Sequence, residues 1–130
     1  MYLRFVVEDI DEDSQRMLGV FHAVRNLRDE GRLCAYEEEE HDFIVDWFGE
    51  NLKKPLRFST FKRSADPRRN KAICWCRDTA HEHLAEIWGL VSLLERNGVA
   101  VRLLKARQVG YVVYEDEYQV VAEPFADTRC

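Results

Sequence analysis

The repeat distance of the apolar residues changes along this chain, and that change bounds the fold more tightly than any motif. Leu3, Phe5 and Val7 alternate with Arg4 and Val6, the signature of a strand at about residues 2–7. From Ser14, a good N-cap, the residues Met17, Val20, Phe21, Val24 and Leu27 recur at three and four positions. That spacing predicts a helix, which Gly31 can stop. A second helix is expected over Ala35 to Asn51, with Tyr36, Phe43, Ile44, Trp47, Phe48 and Leu52 as its apolar side. The short link between the two suggests an antiparallel helical hairpin.

Residues 53–71 carry no period, and Pro55, Pro67 and the Ser64–Pro67 turn chemistry mark an irregular loop. Ala72 to Cys76 then reads as a strand. Ile73 and Trp75 lie on one face, Cys74 and Cys76 on the other. Thr79 and Glu82 have capping-box spacing ahead of a third helix built on Leu84, Ile87, Trp88, Val91 and Leu94, which Asn97-Gly98 ends. Alternation over Val99, Val101 and Leu103, a bend at Gly110, and a hairpin about Glu115-Asp116-Glu117 complete the chain. The order is βαα-loop-βαβββ. The expected class is α+β, with a mostly antiparallel sheet of about five strands and three helices packed on one face. A crossover from residues 72–76 to 99–104 would give one parallel pair. The whole of 1–130 fits a single globular domain.

Charge is sorted along this framework. Residues 1–50 hold 5 Lys/Arg against 14 Asp/Glu, residues 51–80 hold 9 against 2, and residues 81–130 hold 5 against 8. The net −5 thus conceals a basic stretch that coincides with the irregular segment. There Arg57, Lys62, Arg63, Arg68, Arg69 and Lys71 are interleaved with Phe58 and Phe61. Cations beside rings suit a single-stranded nucleic acid, since charge follows phosphates while rings stack on bases. The leading expectation is therefore a binding protein whose basic aromatic loop contacts an anionic partner, nucleic acid first and an acidic protein surface next. The plainer explanation is that these cations are solvated or paired with Glu37–Glu40, and an acidic whole chain argues for it.

Other constellations are thinner. Cys74, Cys76, His81 and His83 supply four zinc-type ligands within ten residues. Yet zinc motifs space their cysteines more widely, and side chains two apart on a helix diverge by about 200°. Neither a metal nor a cofactor is expected. Glu38 and His41 form one Glu-x-x-His pair where a di-metal bundle needs two. His22 reads as a core-edge residue of the first helix. The chain has no nucleophile elbow and no phosphate-binding glycine pattern, which leaves no catalytic motif. An enzyme acting on a small anionic substrate is the alternative, and it would show itself by a deep cleft with convergent polar groups. A protein–protein or assembly role is the third reading. The acidic surface would meet a basic protein partner, and the edge of a terminal hairpin carrying Tyr111, Val113, Tyr118, Val120 and Phe125 would pair with another chain, a homo-oligomer included.

No apolar run reaches the roughly 20 residues of a membrane span. The apolar start is interrupted by Arg4 and followed at once by acids, unlike a secretory leader. Four scattered cysteines do not make a disulfide framework. A cytoplasmic protein with reduced thiols is expected.

Overall fold

A computed structural model describes residues 1–10, 17–53 and 72–125. The elements are β1 (Tyr2–Ile10), β2 (Met17–Gly19), α1 (Val20–Asp29), α2 (Ala35–Asn51), β3 (Ile73–Arg77), α3 (His81–Arg96), β4 (Arg102–Ala106), β5 (Tyr111–Glu115) and β6 (Gln119–Glu123). The fold is α+β, with every strand pair antiparallel. Six strands form the sheet in the order β2-β1-β3-β6-β5, with β4 paired to β1.

Alternation along β1 divides the apolar residues between two faces. Phe5 and Val7 pack with Val24, Leu27, Ile44, Phe48, Leu90, Val91 and Leu94 into a core beneath the helices. Val6 faces the other way and joins Ile73, Trp75, Leu104, Val109, Val120 and Ala122 in a second core. All three helices thus cover one face of the sheet, and the second core belongs to the opposite face.

The connection between β4 and β5 shows how that second core is enclosed. Both strands run in the same direction, at opposite margins of the sheet. In a flat sheet the end of β4 and the start of β5 would be separated by four strand spacings, about 19 Å, plus most of a strand length. Residues 107–110 reach about 17 Å at most. The sheet must therefore curl, and the connection crosses its concave side with Val109 buried in the second core. Gly110 makes the turn into β5 at φ +123, a conformation that disfavours any side chain.

Strand β1 is also where the sheet forks. On one edge, Tyr2 to Val6 pair with β4. On the other edge Tyr2 and Leu3 pair with Arg77 and Cys76 of β3, whereas Val6 and Ile10 pair with Gly19 and Met17 of β2. Between the two, positions 4 and 5 have no strand partner on that side among the described residues. Among the described residues, two residue pairs make up the ladder between β1 and β3.

Several sequence expectations need correction. Met17 is not on a helix: it pairs with Ile10, and the helix starts only at Val20 behind Gly19. Strand β2 is the sixth strand that local pattern missed. Strands β3 and β4 do not pair, so no parallel pair forms. Helices α1 and α2 pack mainly on α3 rather than on each other. Thr79 does not cap α3, whose N-cap is Ala80 without a side-chain bond.

Helix α2 keeps its expected bounds but turns a different face inward. Glu37, His41, Ile44 and Phe48 are buried, while Tyr36 and Phe43 are 60% and 66% exposed. The buried polar groups are satisfied where they lie. Glu37 Oε1 accepts from the Cys34 N–H at 3.2 Å, which caps the helix start, and Oε2 accepts from Asn97 Nδ2 at 3.3 Å. These donors hold the Glu37 carboxyl below its ordinary range, led by the Cys34 amide. Arg28 pairs with Asp42, and Arg96 reaches Glu40 at 3.0 Å, so ion pairs tie α1 to α2 and α2 to α3.

Candidate functional site

A cleft of about 620 Å³ opens at the fork in the sheet. Leu3, Arg4 and Phe5 form one wall, beside the gap that positions 4 and 5 leave between β2 and β3. Cys74 and Cys76 line it from β3, the side-chain pair that faces away from the second core. The start of α1 (Val20, Phe21, His22), the end of α2 (Phe48, Leu52) and two residues of α3 (His83, Ile87) complete the helical side. Tyr118 and Gln119 close the end beside β6. The lining is mostly apolar, with a few polar groups at fixed places, as small-molecule sites usually are.

Arg4 brings positive charge to this wall. Its Nη2 donates to the carbonyl of Met17 at 2.7 Å, which tethers the guanidinium across the fork to β2. Gln119, buried, is the hub of the opposite end. Its Nε2 donates to the Lys53 carbonyl at 2.6 Å and to Asp116 Oδ2 at 3.2 Å, and its Oε1 accepts from the Cys74 thiol at 3.2 Å. Asp116 in turn accepts from Tyr114 Oη at 2.8 Å and from the backbone N–H groups of Tyr118 and Gln119. Those bonds outweigh its partial burial and hold the carboxyl below its ordinary value, while the Tyr114 hydroxyl is held above its own.

The two thiols are poor nucleophiles. Cys74 opens onto the cleft but is crowded on its other sides, and burial pushes it up to about 12. Burial likewise raises Cys76 to about 11. A protonated thiol neither attacks nor alkylates readily. His83 is buried, with Nε2 at 2.8 Å from the Asn51 carbonyl at the end of α2. Its ring stacks on Tyr118 at 4.2 Å and meets Trp47 edge-on at 4.8 Å.

The four zinc-type candidates are thus divided. Cys74, Cys76 and His83 reach the cleft, whereas His81 is exposed at the start of α3. Among the described residues no three His, Cys, Asp or Glu side chains are grouped to hold a metal. Arg57, Phe58, Phe61, Lys62, Arg63, Arg68, Arg69 and Lys71 lie outside the described residues. The two ends of that stretch are placed, however. Leu52 and Ala72 both line the cleft, and the Lys53 carbonyl is held by Gln119. Of the acidic run, Glu37 and Glu40 take Cys34, Asn97 and Arg96 as partners.

Arg4 and Gln119 escaped sequence reasoning as site residues, and Tyr118 was assigned to a hairpin edge rather than to a cleft. Only Arg4 left a signal, as a single cation inside an apolar strand. His22, expected at the core edge, is exposed beside the cleft. No described helix is long and apolar enough to cross a membrane. No family model, curated protein or solved structure matches the chain.

Proposed function

We propose that this protein binds a small molecule with an apolar body and an anionic group in the cleft at the sheet fork. One observation carries the reading: the basic stretch leaves and rejoins the fold at the rim of an apolar cleft whose wall contains Arg4. A cation set in a concave apolar surface favours a ligand having both characters. A cleft of about 620 Å³ suits a compact molecule better than a polymer backbone, so the small anion takes precedence over nucleic acid. The reading supports binding. The raised thiols and the engaged His83 supply no activated nucleophile for catalysis.

The test is a fluorescence titration with 8-anilinonaphthalene-1-sulfonate, which joins apolar rings to a sulfonate. Saturable one-to-one binding is expected, weakened roughly tenfold in Arg4→Met by loss of the cation. Gly19→Phe should also weaken it, because a Cβ there meets no atom within 4 Å and the ring would occupy cleft space. Circular dichroism establishes that both variants fold. Binding that is absent, or indifferent to both substitutions, rejects the site. A single-stranded oligonucleotide that binds with a steep salt dependence and leaves the dye in place would return the function to nucleic acid.

A further inference from the structure

We propose that Cys74 and Cys76 form a two-coordinate site for a soft monovalent metal ion, copper(I) in the first instance. The inference is independent of the anionic ligand and rests on how β3 presents its two thiols. Residues two apart on a strand point to the same face, about 6.6 Å apart along it. Both side chains here line the same cleft. Gln119 is the partner of Cys76 across the β3–β6 ladder, and the Cys74 thiol donates to its Oε1 at 3.2 Å, so one side chain borders both cysteines. Among the described residues the Cys76 thiol donates one long bond, to the Arg77 carbonyl at 3.5 Å, which a rotamer change would release.

The ligand set selects the ion. Zinc asks for four ligands, and no third His, Cys, Asp or Glu is grouped with the pair among the described residues. Soft thiolates favour copper(I), which accepts two sulfurs in a line. On binding, each thiol loses its proton, two copper–sulfur bonds form, and the metal keeps its oxidation state. The product carries one net negative charge. Arg4, on the wall of the same cleft and attractive to the Cys74 thiolate, compensates that charge. Proton release makes affinity rise with pH.

The experiment uses the full chain carrying Cys34→Ser and Cys130→Ser, which leaves only the strand pair. Copper(I) is titrated anaerobically against the chelator bathocuproine disulfonate. One ion per chain is expected, with affinity falling at least about a hundredfold in Cys74→Ser and in Cys76→Ser, since a single thiolate cannot complete the site. X-ray absorption on the copper-loaded parent should show two sulfur scatterers and no nitrogen. This measurement decides the matter even if a serine variant fails to fold. Copper that stays with the chelator, survives loss of either cysteine, or shows three or more ligands overturns the proposal.

Discussion

The carboxamide of Gln119 holds the backbone carbonyl of Lys53 at 2.6 Å, joining β6 to the first residue of the basic stretch. The same buried side chain bonds Cys74 and Asp116, so its loss leaves three polar groups without that partner. Gln119→Leu should cost about 2–3 kcal/mol, more than an average hydrogen-bond deletion. Urea unfolding checks this through a lower midpoint at unchanged m-value.

Gly110 and Gly49 should respond oppositely to alanine. At Gly110, φ is +123 and a Cβ would stand 1.9 Å from the Glu123 carbonyl oxygen, which is backbone and cannot move aside cheaply. Gly110→Ala should cost about 3 kcal/mol or more, or prevent folding. Gly49 lies inside α2, exposed, with nothing within 4 Å of its added Cβ. Gly49→Ala should stabilise the protein by about 0.5–1 kcal/mol. Thermal melts of the two variants should move in opposite directions.

What the sequence disclosed tracks how local each decision is. Helix α2 keeps the expected bounds because its start depends on Cys34 and Glu37, three residues apart, and both lie in the pattern. Its inward face was misjudged, since the partners that make Glu37 and His41 buriable, Asn97 and Arg28, come from other elements. Met17 has helical spacing to Val20 and Val24, but pairing with Ile10 takes precedence, and no local propensity reports that. The cleft was illegible for the same reason. It exists only because β2 and β3 share one edge of β1, a relation among segments more than fifty residues apart.

Stability should fall as pH drops below about 6.5, the ordinary histidine value in an unfolded chain. His41 is buried, and burial first, then Arg28 and Arg25, holds its folded-state value below that, against the weaker pull of Asp29. The unfolded chain consequently takes up the proton first. The His41 contribution is complete above 6.5 and lost as pH falls toward the depressed value. Urea midpoints between pH 7.5 and 5 should decline, and His41→Gln should flatten that decline. Below pH 5, Glu37 and Asp116 should add a second loss, because both carboxyls are depressed in the fold and protonate first in the unfolded chain.

Thiol labelling should separate the folded from the unfolded protein. At pH 8 a thiol raised to about 12 carries roughly a thousandfold less thiolate than an ordinary cysteine. Iodoacetamide should therefore modify Cys74 slowest, Cys76 next, and both at the ordinary rate in urea. Peptide mass spectrometry assigns the rates. Rapid labelling of Cys74 in the folded state would contradict its raised thiol.

The pairing of β1 with β4 imposes a schedule on synthesis. Tyr2 meets Ala106, so β1 waits for roughly a hundred further residues to be made before that ladder can close. The nearby β2 can cover only its far half in the meantime, from Val6 to Ile10. Until β4 is made, the stretch Leu3–Val7 has one edge without its final neighbour, which makes it a natural target for a holding chaperone. Long-range closure of this kind is slow. The β5–β6 hairpin, by contrast, closes locally and can be ready as soon as its residues are made.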